Sequence, residues 1–179
     1  MTASTDPTGT EHHVRSALVR DVPASYVHCI KRPGLRQQLD VSLAREQHGQ
    51  YVRALRDRDV SVTVVPSDDG IPDAPFIEDT AVVLPGRDAV LARSSVSSRA
   101  PEAQGVLSFL EQHRTVEVMP PGATLDGGDV LWIGNTLHVG ISDRTNKSGV
   151  AFLERVARRA RLTVLAERVW GDALFVTDN

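Results

Sequence analysis

The sequence has few of the residues that cross-link a chain, cross a membrane or stack on bases. Cys29 is the only cysteine among 179 residues, which excludes an internal disulfide and a zinc site built from several thiolates and is typical of a reducing cytoplasm. Aromatic residues make up 4% of the chain, so no stacking platform for single-stranded nucleic acid is expected. The net charge of −3 is too small to favour bulk attraction to nucleic acid or an anionic membrane. No apolar run approaches the ~20 residues of a membrane span.

The remaining composition fits one ordinary cytoplasmic domain. Hydrophobic residues make up 41% of the chain and charged residues 24%, which is enough for a sizeable core. Residues 1–14 are polar and lack the apolar stretch of a signal peptide, so they are predicted to form a disordered tail. The folded domain is predicted over residues 15–168, and residues 169–179 are predicted to form a divergent C-terminal tail.

Strand and helix patterns alternate along the domain and predict the α/β class. Alternating Val and Ser or Thr residues indicate a strand over 60–65, and apolar residues at helical spacing indicate a helix over 39–55. Pro101 fits the first turn of a second helix, and Thr145 is predicted to cap the start of a third. Further strands are predicted over 17–20, 80–84, 89–92, 115–119, 130–133, 136–141 and 162–165.

An internal repeat of ββαβ type underlies this alternation. Val82 is matched with Val130, and the strand around Glu117 is matched with 162–164. The segment 17–65 is predicted to be a third copy whose opening strand is missing or supplied from elsewhere.

The repeat also brings polar residues to matched positions. Glu78 stands four residues before Val82, and Asp126 stands four before Val130. Arg99 and Arg144 each lie between a strand and a helix. Because equivalent positions of repeated units face the same way, we expect these acids and arginines to gather at one end of the fold. Carboxylates bind a guanidinium and arginines bind a carboxylate, so a zwitterionic, arginine-like ligand is predicted. The alternative is that Asp126-Gly127-Gly128-Asp129 is only a turn.

Several linked motifs resemble those of the dimethylarginine dimethylaminohydrolase family, within the guanidino-group-modifying enzymes. The resemblance runs in order from Ala17 to Arg168 and includes a helix with Glu46-Gln47-His48. It rests on Phe76-Ile77-Glu78-Asp79, on Leu125-Asp126-Gly127-Gly128-Asp129-Val130-Leu131, on Ser142-Asp143-Arg144-Thr145-Asn146, and on the pairs Pro72-Asp73 and Ser98-Arg99. It implies a pseudo-fivefold α/β propeller of ββαβ modules, of which this chain would supply about three and a half.

The resemblance also implies the roles of individual residues. Asp73, Glu78 and Asp79 match residues that hold the substrate guanidinium and amine, and Arg99 and Arg144 match residues on its carboxylate side. Asp126 matches an acid that binds the guanidinium near the catalytic histidine. Ile30 falls on a mobile loop that contacts substrate, where Pro33 and Gly34 would suit a lid.

The family mechanism converts N-methylated arginine to citrulline and methylamines without a metal or other cofactor. A cysteine thiolate attacks the guanidinium carbon, and a histidine protonates the departing amine. Neither residue stands at its family position in this chain, so it is expected to be truncated or frame-shifted and inactive as given. Cys29 beside His28 is not expected to substitute, because neighbouring side chains diverge on an extended segment. A metal site from His138, Asp126 and Asp129 is not predicted either.

Three alternatives stay open beside an inactive amidine hydrolase. The chain could be a non-catalytic remnant that binds guanidines, a relative of arginine deiminases or amidinotransferases, or a structural fragment whose open strand edges pair with other chains. The ligand is expected to be a small molecule in each of the first two cases, with no nucleic acid or membrane partner.

Overall fold

The computed structural model describes residues 14–31 and 39–168. Most of the predicted N-terminal tail, the lid residues Pro33 and Gly34, and the predicted tail 169–179 lie outside the described residues. The chain divides into two compact units. The first unit runs to Ile77 and includes Ser98–Ser108; the second comprises Glu78–Ser97 and the chain from Phe109 onward.

The first unit contains a two-stranded parallel sheet and a connecting helix. Strand β1 (Ser16–Arg20) pairs with β2 (Ser61–Val65), and α1 (Val41–Arg56) joins them. Asp40 caps α1, because its side chain accepts hydrogen bonds from the N–H groups of Ser42 and Leu43. The small core of this unit contains Val19, Val52, Leu55 and Val60. Within the described residues, this sheet consists of β1 and β2.

The second unit contains two sheets of identical topology, and this arrangement confirms the ββαβ repeat. The first sheet has the order β3 (Ala81–Val83), β4 (Asp88–Leu91), β5 (Thr115–Val118), and the second has the order β6 (Val130–Ile133), β7 (Thr136–Ile141), β8 (Thr163–Arg168). In each, the first pair is antiparallel and the second parallel. Along the chain, α2 (Ala100–Glu111) connects β4 to β5, with residues 100–108 in the first unit, and α3 (Lys147–Ala157) connects β7 to β8. Leu125, Leu137, Leu153 and Val156 are fully buried in the core of the second unit.

The register corrects the sequence alignment of the two repeats. Asp88 pairs with Thr115 as Thr136 pairs with Thr163, so β4 and β5 correspond to β7 and β8. The Leu84 N–H donates to the carbonyl oxygen of Asp88, so the first hairpin turn is 85–87, one residue longer than the turn 134–135, and the first strands are shifted by one residue. Val82, which pairs with Val90, therefore corresponds to Leu131, which pairs with His138, and not to Val130. By the same register Glu117 corresponds to Leu165 and not to Thr163.

The start of α3 also differs from the prediction by one residue. Asn146 is the cap, because its Oδ1 accepts from the N–H of Gly149 at 2.8 Å and of Thr124 at 3.2 Å. Thr145 is fully buried and its hydroxyl is used elsewhere, as described below. Among the described residues, no helix is both long and apolar enough to span a membrane.

Candidate functional site

Asp126 lies at the end of an irregular segment, residues 123–126, that leads into the second repeat. Leu125 before it is fully buried, and Asp126 itself is buried and caps the short 3-10 turn Gly127–Asp129. Its Oδ1 accepts from the N–H of Gly128 at 3.1 Å, and its own N–H donates to Thr145 Oγ1 at 3.0 Å. These bonds hold the carboxylate in one orientation.

Asp79 forms a carboxyl–carboxyl hydrogen bond with Asp126. Burial, that hydrogen bond and the charge of Asp79 together raise the pKa of Asp126 to about 6, against the opposing effects of the Gly128 N–H and Arg144. Asp126 therefore keeps its proton in mildly acidic solution, up to a pH of about 6. A bound cation would replace that proton.

Glycines allow these two acids to approach each other. A Cβ on Gly127 would collide with the carbonyl oxygen of Glu78, and a Cβ on Gly128 would lie 2.8 Å from Asp79 Oδ1. The prediction that Glu78 and Asp126 occupy equivalent positions is wrong, because the register shift makes Ile77 the counterpart of Asp126. Close backbone packing at Gly127, rather than repeat symmetry, brings the acids together.

Arg144 completes the cluster in the second unit. Its Nη1 lies 3.0 Å from Asp126 Oδ2, although 57% of the Arg144 side chain is exposed. The structure thus shows a guanidinium group bound to Asp126. Glu78 is exposed and lies in the same short turn as Asp79, Ile77–Thr80.

A set of hydroxyl groups fixes the loop that carries Arg144. Asp129 Oδ2 accepts from Ser142 Oγ at 2.7 Å and from Thr145 Oγ1 at 2.6 Å. Ser142 Oγ in turn accepts from the N–H groups of Arg144 and Thr145. The sequence reasoning did not assign this role to Ser142 and Thr145, although both lie in the Ser-Asp-Arg-Thr-Asn motif.

The first unit contains Ile30, Cys29 and Asp73 as one local cluster. Asp73 is buried, and its Oδ1 accepts from the N–H of Ile30 at 2.9 Å. The Ile30 side chain is exposed and Cys29 is buried. Burial first, and then the charge of Asp73, raise the pKa of the Cys29 thiol, with Lys31 opposing them. Cys29 therefore lacks the surroundings of a nucleophilic thiolate.

Arg99 is also in the first unit and is buried beside Glu102. Its Nε donates to Glu102 Oε1 at 2.9 Å and its Nη2 donates to Oε2 at 2.7 Å. Sequence reasoning missed Glu102, although its spacing of three residues from Arg99 in a first helical turn is a usual one for ion pairs. No group of three or more His, Cys, Asp or Glu side chains in the described ranges could hold a metal ion.

The fold and the site define an α/β protein in which a buried carboxyl group, that of Asp126, binds a guanidinium group. The sequence profile described as N,N dimethylarginine dimethylhydrolase, eukaryotic, matches residues 24–171. The chain therefore belongs to the dimethylarginine dimethylaminohydrolase family.

Individual relatives agree with this assignment. The chain is 40% identical over 136 residues to N(G),N(G)-dimethylarginine dimethylaminohydrolase of Streptomyces coelicolor, covering 75% of this chain and 50% of the relative. It is 33% identical over 123 residues to the Pseudomonas aeruginosa enzyme of the same name, covering 65% and 48%. A solved structure of the Pseudomonas aeruginosa protein, a cysteine-to-serine variant complexed with citrulline, matches with a TM-score of 0.84 and 27% identity over 90% of this chain and 63% of that one. The chain thus spans about half the length of the curated relatives it matches.

Proposed function

We propose that this chain carries the guanidine-binding part of a dimethylarginine dimethylaminohydrolase-like amidine hydrolase of the cytoplasm. Its repeats would form about three and a half modules of a five-module α/β propeller. Two complete ββαβ sheets and one two-stranded sheet support this arrangement. The ligand would be N-methylated arginine or a close analogue.

One observation carries the proposal: Asp126, hydrogen-bonded to Asp79, already binds a guanidinium group, that of Arg144. A substrate guanidinium offers the same planar donors and would replace the Arg144 side chain there. Arg144 would then be available for the substrate carboxylate, the role that the family resemblance implies. Asp126 would act as a supporting acid, orienting the guanidinium carbon and balancing its charge. Asp73, Glu78, Arg99 and Ile30 are proposed as further substrate-binding residues on the same resemblance.

We further propose that the 179-residue chain binds its ligand without turning it over. The reaction needs a thiolate, and the sole cysteine is a buried thiol with a raised pKa whose neighbour is the carboxylate of Asp73. A negative neighbour disfavours the thiolate that attacks the guanidinium carbon. The properties of Cys29 thus favour a guanidine-binding protein without activity of its own.

Titration calorimetry with asymmetric dimethylarginine tests the proposal, with citrulline measured in parallel. We expect saturable binding, no citrulline, and a loss of affinity of about tenfold or more in Asp79→Asn, because a charge-assisted hydrogen bond contributes roughly 1.5–3 kcal/mol. Asp57→Asn, which changes an exposed carboxylate after α1, is the matched control and should bind as the unaltered chain does. Absence of binding would overturn the guanidine site, and citrulline release lost in Asp79→Asn would overturn the lack of turnover.

A further inference from the structure

A helix of the following repeat packs on one face of two of the three sheets. In the first unit, Val19 of β1 packs with Val52 and Leu55 of α1, so the next residue, Arg20, lies on the opposite face of the strand. There the buried Arg20 guanidinium lies against Gly105 of α2, where an added Cβ would collide with it. In the second unit, α3 packs against β4 of the preceding repeat. Each of these sheets is thus covered by the helix that comes next along the chain.

The corresponding face of the third sheet, β6–β7–β8, is apolar and exposed. Leu131, Ile133 and Leu165 share this face by the register of the strands, and their exposed fractions are 41%, 48% and 50%, respectively. We call these three residues the sheet surface. Val82 and Leu84, the counterparts of Leu131 and Ile133 in the first sheet, are buried. The same position in the repeat is therefore covered in one sheet and open in the other.

Helices α1 and α3 can be aligned by the turn that ends each of them. The Val60 N–H donates to the carbonyl oxygen of Leu55 at 3.2 Å, and the Leu162 N–H donates to that of Ala157 at 3.1 Å. A strand parallel to the one before the helix follows each turn, β2 after α1 and β8 after α3. Leu55 therefore corresponds to Ala157, and the preceding residues of the two helices follow in register.

This alignment places exposed apolar residues of α1 where α3 is buried. Tyr51 and Ala54 correspond to Leu153 and Val156, both of which are fully buried. Tyr51 is 46% exposed, and Ala54 is also exposed. Leu43, which is exposed as well, lies on the same side of α1 two turns earlier. Leu43, Tyr51 and Ala54 form what we call the α1 stripe, which has the position of a sheet-covering helix face.

The sheet surface and the α1 stripe also have opposite charges beside them. Arg53 of α1 corresponds to Arg155 of α3, which pairs with Glu117 of the sheet that α3 covers. On the third sheet, Glu167 lies on the same face as Leu165, two residues further along β8. Glu167 thus offers Arg53 a carboxylate at the edge of the sheet surface.

We propose that the sheet surface of one chain is the docking site for the α1 stripe of a second copy of this chain. Helix α1 of the second copy lies on β6–β7–β8 as α3 lies on β4. The contact joins two different surfaces, so copies associate head to tail and form a closed ring or an open chain. One 16-residue helix on one sheet is at the lower end of specific interfaces, about 1,200 Å² in total, so the association is weak and the dilute chain is monomeric. The proposal does not depend on the guanidine site.

Sedimentation velocity at increasing protein concentration tests this association. For the unaltered chain we expect the monomer at about 10 µM, and dimers or larger species at about 500 µM, the range of a transient contact. Leu131→Glu charges the sheet surface and Tyr51→Glu charges the α1 stripe, so each variant alone should stay monomeric throughout. Val118→Glu is the matched control, because Val118 is an exposed apolar residue on neither surface, and it should associate as the unaltered chain does.

Mixing the two monomeric variants distinguishes a head-to-tail contact from other kinds. Leu131→Glu retains the α1 stripe and Tyr51→Glu retains the sheet surface, so an equimolar mixture can form a single intact contact. We expect this mixture to form dimers and nothing larger. Circular dichroism verifies folding, and Ile133→Glu or Leu43→Glu replaces a variant that does not fold.

Four results would overturn the proposal. An unaltered chain that is monomeric at every concentration would show that no second copy covers the sheet surface. Self-association of Tyr51→Glu alone would indicate that two sheet surfaces pair with each other, and self-association of Leu131→Glu alone would indicate a contact between two α1 helices. A mixture of the two variants that stays monomeric would show that the two surfaces do not bind each other.

Discussion

The two complete repeats of the second unit differ in what covers one face of their sheets. On the β3–β4–β5 sheet, Val82 and Val90 are buried, and α3 of the following repeat packs against β4. The equivalent residues of the β6–β7–β8 sheet are Leu131 and His138, and both are exposed in the described structure. Helix α3 thus packs against the sheet of its own repeat and also against β4 of the preceding one.

The two sheets also differ in the residue at the edge of this face, which is charged in the β3–β4–β5 sheet and apolar in the β6–β7–β8 sheet. Glu117 Oε2 accepts from Arg155 of α3 at 3.1 Å, and Glu117 Oε1 accepts at 2.6 Å from Arg159 in the 3-10 turn Arg158–Ala160 that follows α3. The equivalent residue of the second sheet is Leu165, which is 50% exposed. A covered face thus has an apolar centre with an ionic edge, whereas the uncovered face presents an apolar residue at the same place.

The largest expected effect comes from placing a charge on each face in turn. Val90→Asp puts a carboxylate where the side chain is fully buried, and an unpaired buried charge should cost roughly 3–5 kcal/mol of unfolding free energy. His138→Asp places the same group at the equivalent exposed position and should stay within about 0.5 kcal/mol of the unaltered chain. Urea unfolding measures both. Similar losses in the two variants would show that the second face is covered in solution.

Glu78 and Asp126, the acids that precede the two sheets, should differ in how much they make the free energy of unfolding depend on pH. Because folding raises the pKa of Asp126 from 3.8 to about 6, its protonated form is the one favoured in the folded state. Stability from this group is fully present below about pH 4 and is lost as the pH rises through 6, by at most about 3 kcal/mol.

Asp126→Asn should remove this fall in the free energy of unfolding with rising pH. Glu78→Gln changes the exposed acid before the other sheet and should leave the pH dependence as it is. The measurement is the urea midpoint between about pH 4 and pH 7. An unchanged slope in Asp126→Asn would assign the titration to another group.

Features contained in a short stretch of sequence were predicted better than features that depend on distant segments. The Asp-Gly-Gly-Asp and Arg-Thr-Asn motifs located Asp126 and Arg144, because a short motif contains the turn and the side chain together. The register of Val82 was missed, because alternation shows which residues share a face but not how many residues a hairpin turn takes.

Features that depend on packing between distant segments were also missed. Thr145 and Asn146 are adjacent and both can cap a helix; burial assigns Thr145 to Asp129 and leaves the cap to Asn146. Glu102 resembles an ordinary solvated charge of a first helical turn until Arg20 is placed beside it. The sequence contains no local signal for that contact beyond Gly105, the glycine within α2.

The smallest expected effect concerns the ionic edge of the covered face. Glu117→Gln should lower the unfolding free energy by about 1 kcal/mol or less, because its arginine partners are about half exposed and exposed ion pairs contribute little. The loss should shrink when urea unfolding is repeated in about 1 M instead of about 0.1 M salt, since salt screens exposed charges. Leu165→Gln at the equivalent position should show no salt-dependent change. A Glu117→Gln loss that is the same at both salt concentrations would assign the contribution to packing of the side chain, and the ionic edge would then not distinguish the two faces.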